Sequence, residues 1–341
     1  MSGLMELPRP FLLFIGEVTD PGYAKTAFGL RDWTPEHCTG EWALPGNPLR
    51  LGLPVLTPAE ARSRGARALV IGVAPIGGAL QPHWRAALLE ALEAGLDLVS
   101  GMHAALADDP VLSAAATRLG RRLIDIRRPP PGLPVATGRR RSGRRLLTVG
   151  TDCALGKKYT ALSLARAFQR RNLAADFRAT GQTGIMIAGR GIPMDAVVSD
   201  FLAGAAEVLS PDAAPDHWDV IEGQGSLFHP AYAGVSLGLL HGSQPDVLVL
   251  CHEHGRQHVI GYGDRYPLPS LEDAMAMHLQ HARRVNPGAR VAGISLNTAA
   301  LGAEEAAAVL AAEADRLGLP CADPLRGGVS FDRLVDACLS P

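Results

Sequence analysis

Short apolar runs alternate with helical patterns along most of this 341-residue chain. In the first part, apolar runs bounded by turn-forming residues predict strands at 11–15, 68–73, 96–100 and 123–126, and the spacing of apolar residues predicts a helix at 83–94. Uninterrupted apolar runs are typical of strands that are buried on both faces, as in parallel sheets covered by helices. The pattern therefore predicts an α/β domain with a parallel sheet.

The same alternation returns in the second part of the chain. Helices are predicted at 157–172 and 195–209, and strands at 145–149, 174–180, 218–221, 246–250 and 290–296. Polar or glycine-rich turns follow several strands, among them 72–78 and 100–103 in the first part. Such turns at strand ends are where open α/β sheets bind ligands.

A proline- and arginine-rich stretch separates the two series. Residues 127–145 contain seven arginines and four prolines and no periodic apolar pattern, and proline disfavours both helix interiors and central strands. We interpret the stretch as a linker, with an anion-binding patch as the alternative. The predicted division is a domain at 1–138, an arginine-rich linker end at 139–145 and a second domain at 146–341.

Composition excludes several classes of function. A formal net charge of −1 argues against a nucleic-acid-binding chain, and five scattered cysteines without a CxxC pair indicate neither a disulfide framework nor a zinc knuckle. We find no secretory signal pattern and no apolar stretch long enough to span a membrane. These observations predict a cytoplasmic location.

Lysine is rare in this chain. Only three of the 33 basic residues are lysines, namely Lys25, Lys157 and Lys158. Because arginine replaces lysine almost everywhere else, these three are candidates for positions that need a compact ammonium group. Chance is the alternative for each of them.

Two of the lysines lie in a predicted phosphate-binding loop. A strand runs into a glycine-bounded loop and a helix, and the residues that we expect to surround the anion are Gly150, Thr151, Asp152, Cys153, Ala154, Leu155, Gly156, Lys157, Lys158, Tyr159 and Thr160. Backbone amides, a helix N-terminus and a lysine together favour phosphate. The loop departs from G-x-x-x-x-G-K-[ST], since five residues separate its glycines and Lys158 stands where Mg²⁺ would find a hydroxyl. A glycine-rich turn without a ligand is the alternative.

Other polar groups follow predicted strands. Arg178 and Gln182 lie in a polar segment that either binds a carboxylate or phosphate or is a simple turn. The segment 251–258, rich in histidine, offers Arg256 to an anionic substrate. A metal site or a plain surface loop is the alternative for 251–258. His229, just beyond the strand that ends near Glu222, is either a base or a structural histidine.

Several of these segments resemble known P-loop proteins. The five-residue loop spacing, the sequence EGQG at 222–225 and the strand that ends at Asn297 are similar to the dethiobiotin synthetase group. The whole chain is identified as a member of a P-loop family long described as a domain of unknown function, on the segments 20–33, 70–80, 150–162, 178–201 and 219–246. The resemblance implies a Rossmann-like first domain and a P-loop NTPase-like second domain.

The family includes D-glutamate N-acetyltransferases, so the resemblance implies acetyl transfer from acetyl-CoA to the amino group of D-glutamate. CoA carries phosphates that the loop could hold. We expect the base among Glu222, Asp152 and His229, and we expect Arg178, Gln182, Arg256 and Lys25 to bind substrate, with Lys25 facing the interdomain cleft. Cys153 could instead carry the acetyl group. We assign no metal-ligating residues and leave the binding of Mg²⁺ at the loop an open question. We expect no nucleic-acid or membrane partner and a homo-oligomer.

Two other functions stay open at this stage. An ATP-dependent ligase or kinase of the dethiobiotin synthetase type would turn over Mg-ATP at the same loop. A nucleotide-binding regulator would bind ATP or phosphate there without catalysis.

Overall fold

The computed structural model describes residues 6–73 and 79–340, and its strands form two separate parallel sheets. The strands of the first sheet are β1 (Phe11–Gly16), β2 (Cys38–Ala43), β3 (Ala68–Ile71), β4 (Asp97–Ser100) and β5 (Leu123–Asp125), in the spatial order β2-β1-β3-β4-β5. The strands of the second sheet are β6 (Arg144–Gly150), β7 (Ala175–Arg178), β8 (Trp218–Ile221), β9 (Val247–Glu253), β10 (Arg290–Asn297) and β11 (Cys321–Ala322), in the order β11-β10-β9-β6-β8-β7. All the observed strand pairs are parallel.

Helices connect these strands. Those up to β6 are α1 (Lys25–Trp33), α2 (Pro58–Ser63), α3 (Arg85–Glu93) and α4 (Pro110–Leu119). Those after β6 are α5 (Lys157–Arg170), α6 (Gln182–Ala188), α7 (Ser199–Leu209), α8 (Ala233–Ser243), α9 (Leu271–Val285), α10 (Ala303–Leu317) and α11 (Gly328–Leu339). No helix in the described ranges is both long and apolar enough to cross a membrane.

The predicted α/β fold class is confirmed, with two additions. Every strand predicted from an apolar run is present, and most residues of these strands are buried, although three of the four residues of β7 are only partly buried. The sequence pattern missed β2 and β11, which lie at the edges of the two sheets. Edge strands contact a neighbour on one side only, so their sequences carry fewer apolar residues. Residues 74–78 of the predicted turn at 72–78 lie outside the described residues.

The chain divides into two compact units whose boundary is not a single point in the sequence. The first unit contains residues 1–130 and 182–193, and the second contains 131–181 and 194–341. Helix α6 therefore belongs with the first sheet, where Thr183 Oγ1 lies 2.9 Å from Thr26 Oγ1 of α1. Arg9 also donates to the carbonyl oxygens of Met186 and Ile187. The predicted division at 138/139 did not anticipate this inserted helix.

The arginine-rich stretch 139–145 is bound tightly within the second unit. Arg139 pairs with Asp212, and Arg140 pairs with Asp246. Arg145 is 1% exposed, and its guanidinium donates to Ser210 Oγ at 2.8 Å and to several backbone carbonyls. Because these cations already have partners, the stretch serves to hold the chain against the second unit. The alternative of an anion-binding patch is not supported.

Candidate active site

The loop after β6 has the backbone of a phosphate-binding cradle. Ala154 and Gly156 adopt positive φ angles of 56° and 112°, which curve the chain back before α5 begins at Lys157. The loop is fixed from both sides, since Thr151 N donates to the carbonyl of Cys251 at 3.2 Å and Ser226 Oγ donates to the carbonyl of Gly150 at 3.0 Å. A curved loop at a helix N-terminus is suited to binding an anion through backbone amides.

Lys157 lies folded over this loop. Its Nζ donates to the carbonyl oxygen of Asp152 at 2.7 Å, and the side chain is almost completely buried. Burial lowers the pKa of the Lys157 ammonium. A bound phosphate would reverse this shift, because an anion near the ammonium favours its charged form. The close approach depends on Gly223, where a Cβ atom would lie 3.1 Å from Lys157 Cδ.

The hydroxyl and ammonium groups after Lys157 differ from those of a magnesium-nucleotide loop. Lys158 occupies the position of the usual hydroxyl, and its ammonium lies 4.4 Å from the centre of the Tyr159 ring. The Thr160 hydroxyl bonds to the Gly156 carbonyl at 3.1 Å and to Ser295 Oγ at 2.7 Å. The donors at this end of the loop therefore suit a polyanion better than they suit a metal ion that requires oxygen ligands.

Glu222 is buried at the end of β8, next to the strand that carries the loop. Its Oε2 accepts hydrogen bonds from the backbone amides of Thr180 at 2.9 Å and Gly181 at 3.0 Å. Burial raises the pKa of Glu222, against the opposing effect of these amides and of the Lys158 charge. A carboxyl group with a raised pKa in a site of this kind is a candidate general base.

Asp152 is occupied by structural hydrogen bonds. The carboxylate is fully buried and accepts from Cys153 N at 2.7 Å, Arg256 Nη1 at 3.1 Å and Ile260 N at 2.8 Å. Both carboxylate oxygens therefore have donors. This arrangement favours a role in holding residues 256–260 against the loop over a role as the base.

His229 is brought to the loop by the turn after β8. One nitrogen of His229, the sulfur of Cys153 and a carboxylate oxygen of Asp152 lie within 4.8 Å of one another. His229 Nδ1 accepts from Ala231 N at 3.1 Å, and the ring is 2% exposed. Since the Asp152 oxygens already accept three hydrogen bonds, this trio fits a metal ion poorly.

The two arginines proposed for substrate binding are already paired with carboxylates. Arg178 bonds to Asp219 at 2.7 Å and to Asp176 at 3.2 Å. Arg256 bonds to Asp152 and, at 2.5 Å, to Glu253. Pairing reduces the charge that either guanidinium can offer to a substrate carboxylate, so the proposed role of Arg178 and Arg256 has no support from their contacts.

The other two proposed substrate residues lie in the first unit. Lys25 is exposed and begins α1, and Gln182 begins α6. The bond between Thr26 and Thr183 joins the first turns of these two helices, so the structure brings Lys25 and Gln182 to neighbouring positions. Their predicted role in binding substrate stays a prediction.

A polar pocket of about 340 Å³ lies beside the loop in the second unit. Its wall includes His252, whose Nδ1 lies 2.8 Å from Thr151 Oγ1, and Arg256. Its other arginine, Arg316, pairs with Glu313 and Glu272. Because both arginines are neutralised, the pocket offers little attraction to a dicarboxylate.

Sequence reasoning missed some residues that shape the site. Thr180 and Gly181 supply the amides that hold Glu222, and Ser295 engages Thr160. The signal for Gly181 and Gly223 was present, since each glycine follows a strand at the ligand-binding edge of a parallel sheet. Ser295 comes from β10, and no local pattern connects it to the loop.

Comparisons with known proteins agree with this fold and loop. Residues 134–335 match the family model described as "Domain of unknown function (DUF1611_C) P-loop domain", and residues 36–129 match the "Domain of unknown function (DUF1611_N) Rossmann-like domain". A crystal structure of a DUF1611 family protein from Anabaena variabilis is 34% identical, with a TM-score of 0.84 and coverage of 97% of this chain and 99% of that chain.

Two curated relatives carry the name D-glutamate N-acetyltransferase. The protein from Tritonibacter scottomollicae is 51% identical, over 97% of this chain and 98% of its own length. The protein from a Pseudoalteromonas species is 46% identical, over 95% of this chain and 98% of its own length. On the two family models and these near-complete matches, the chain belongs to the DUF1611 family.

Proposed function

We propose that this protein transfers the acetyl group of acetyl-CoA to the amino group of D-glutamate. The observation that supports this most strongly is the match over nearly the whole chain to two relatives named D-glutamate N-acetyltransferase, at 51% and 46% identity. The site supplies a phosphate-binding loop and, at the neighbouring strand end, a buried carboxylate. These are two of the groups that such a reaction needs.

The loop would hold phosphate groups of CoA. Amides of the curved segment, together with Lys157 and Lys158, would face the anion, and Lys157 would exchange its bond to the Asp152 carbonyl for one to phosphate. A hydrogen bond between an ammonium and a phosphate joins two charged partners and is stronger than the bond to an uncharged carbonyl that is lost. Lys158 at the usual hydroxyl position supplies charge without a metal ligand, which favours CoA over Mg-ATP at this loop.

Glu222 would act as the general base. The amine must lose a proton before its nitrogen attacks the thioester carbonyl carbon, and the C–S bond then breaks as the CoA thiolate leaves. The raised pKa of Glu222 brings this carboxylate closer to the pH range in which a base accepts a proton efficiently. The Thr180 and Gly181 amides hold its Oε2 and leave Oε1 to receive the proton.

Direct transfer is favoured over an acetylated Cys153. Burial raises the pKa of the Cys153 thiol, although Lys157 and Arg256 act in the opposite direction, so less of the reactive thiolate is present.

The test is an assay of free thiol and N-acetylglutamate with purified protein, acetyl-CoA and D-glutamate, with and without Mg-ATP. We expect thiol release that needs no ATP and is slower with L-glutamate. Formation of ADP that depends on D-glutamate, or binding of acetyl-CoA without turnover, would contradict the proposal.

The position of CoA is tested separately by Lys157→Ala. Loss of a charge-assisted bond to phosphate should weaken acetyl-CoA binding by about tenfold or more in calorimetry. The matched control is Arg333→Ala, which removes an exposed positive charge from α11. Equal affinity in wild type and Lys157→Ala would place CoA elsewhere.

A further inference from the structure

A group of aromatic side chains lies next to the phosphate loop. His229 stacks on Tyr232 with ring centres 4.5 Å apart, and Tyr262 contacts His229 edge-on at 5.2 Å. Tyr266 continues the group, edge-on to Tyr262 at 5.3 Å. We call these four residues the aromatic shelf.

The shelf is attached directly to the loop. His229 is within 4.8 Å of ligand-type atoms of Cys153 and Asp152, so the Tyr232 ring is separated from the loop by one ring only. The chain segment that carries the other two tyrosines is held to the loop by the bond from Ile260 N to Asp152 Oδ2 at 2.8 Å. When a phosphate of a ligand lies in the loop, the group attached to that phosphate can therefore reach the shelf.

The segment 256–267 is well organised for this purpose. Val259 N donates to the Tyr266 carbonyl at 2.9 Å, and Leu268 N donates to the Gln257 carbonyl at 2.8 Å, which closes the segment into a narrow hairpin. Arg256 fixes its base through Asp152 and the Cys153 carbonyl. Tyr262 and Tyr266 are thus held in position before a ligand arrives, which lowers the entropic cost of binding.

Much of the shelf faces solvent, although aromatic rings gain most when they are covered. Tyr232 is 53% exposed and Tyr266 is 41% exposed, and the neighbouring Ile260 is 49% exposed. Contiguous exposed apolar groups of this kind are typical of binding surfaces. Neither Tyr232 nor Tyr266 is needed to fill the hydrophobic core under the second sheet, whose members come from the strands and from α5 and α11.

We propose that the aromatic shelf stacks the adenine ring of an adenine nucleotide whose phosphate lies in the loop. Adenine has flat π faces and is joined to the phosphates through a single ribose, so it must lie close to the loop, which is where the Tyr232 ring is exposed. Base–aromatic stacking depends on ring faces and not on hydrogen-bonding groups, and the shelf offers rings. If the proposed function holds, the nucleotide is acetyl-CoA. Only this choice of nucleotide rests on the proposed function; the stacking of adenine on the shelf does not.

Binding of three ligands, acetyl-CoA, S-acetyl-4′-phosphopantetheine and ATP, tests the shelf. Acetyl-CoA and S-acetyl-4′-phosphopantetheine share a thioester and a phosphate, but the second has no adenosine. Tyr232→Leu should weaken acetyl-CoA binding by about fivefold or more in calorimetry, since stacking of one base contributes at least that factor. Tyr232→Leu should leave the affinity for S-acetyl-4′-phosphopantetheine unchanged. Tyr232→Phe should keep the wild-type affinity for acetyl-CoA because the ring remains.

The matched control is Phe201→Leu, which removes an exposed aromatic ring from α7 in the same unit. The shelf proposal fails if Tyr232→Leu leaves acetyl-CoA and ATP affinities unchanged, or if it weakens both acetylated ligands equally. A loss of ATP affinity alone supports the shelf and identifies ATP as the source of the adenine. Thiol release by the wild type is measured in parallel, so a failure of the proposed acetyl transfer is distinguished from a failure of the shelf.

Discussion

Gly223 is the position where the smallest change should disturb the site most. It lies two residues beyond the end of β8, and its N–H donates to Thr148 Oγ1 of β6 at 2.9 Å. A Cβ atom at this position would lie 1.8 Å from the Thr148 carbonyl oxygen and 3.1 Å from Lys157 Cδ. The first neighbour is backbone of a central strand with partners on both sides, so it cannot move freely.

The magnitude follows from this overlap. Gly223→Ala forces atoms into a filled space, which typically costs about 1–3 kcal/mol of unfolding free energy. For a unit of this size, such a loss lowers Tm by about 3–10 °C. Relief of the clash must shift the end of β8 or the Lys157 side chain. We therefore also expect weaker binding of acetyl-CoA and a smaller rise in Tm when the ligand is added at a fixed concentration.

Thermal unfolding with and without acetyl-CoA measures both effects. The matched control is Gly234→Ala, because a Cβ atom there meets nothing within 4 Å and the residue lies in helix α8. Alanine in a helix should stabilise this position by about 0.5–1 kcal/mol relative to glycine. If Gly223→Ala has the wild-type Tm and the wild-type rise in Tm with acetyl-CoA, then Gly223 is not packed tightly against β6 and Lys157.

Three further predictions follow from groups in and behind the site. Glu222→Gln should lower kcat by about 10²–10⁴-fold and remove the acidic limb of the pH–rate profile, and an unchanged profile would exclude Glu222 as the base. Cys153→Ala should keep most of the activity, and a mass spectrum that shows acetyl on Cys153 would contradict direct transfer. Burial lowers the pKa of His278 to about 4, so the unfolded chain, with an ordinary histidine pKa near 6.5, takes up the proton first as pH falls. About 3 kcal/mol of stability should therefore be lost between pH 6.5 and 4. His278→Leu should flatten this dependence in denaturant titrations, whereas His103→Gln, at an exposed histidine, should leave it as in wild type.

The sequence alone determined the elements that depend on local pattern. Strands such as β6 and β9 are apolar because they are buried on both faces of a sheet, so their composition identified them directly. The phosphate loop was found for the same kind of reason, since its glycines, lysines and following helix are contiguous in the chain. Location and oligomeric state, in contrast, are expectations that stay predictions.

Tertiary structure decided which polar groups are available for chemistry. Arg178 and Arg256 have the residue type for binding carboxylates, but carboxylates distant in sequence, Asp219 and Asp152, already neutralise them. Asp152, a candidate base by residue type, accepts three hydrogen bonds, one of which comes from Ile260. A charged group is free or occupied according to neighbours that folding brings to it, and no local pattern contains that information.

The same reason explains the inserted helix and the aromatic shelf. Helix α6 packs in the first unit although it follows the phosphate loop in the chain, because its contacts are with α1 and residues near Arg9. The shelf joins Tyr232, which immediately precedes α8, to rings from the hairpin after β9. Strand order and strand-end geometry create these groupings. The chain's pattern determines which residues form sheets and loops, and the topology of the sheets determines which loops meet.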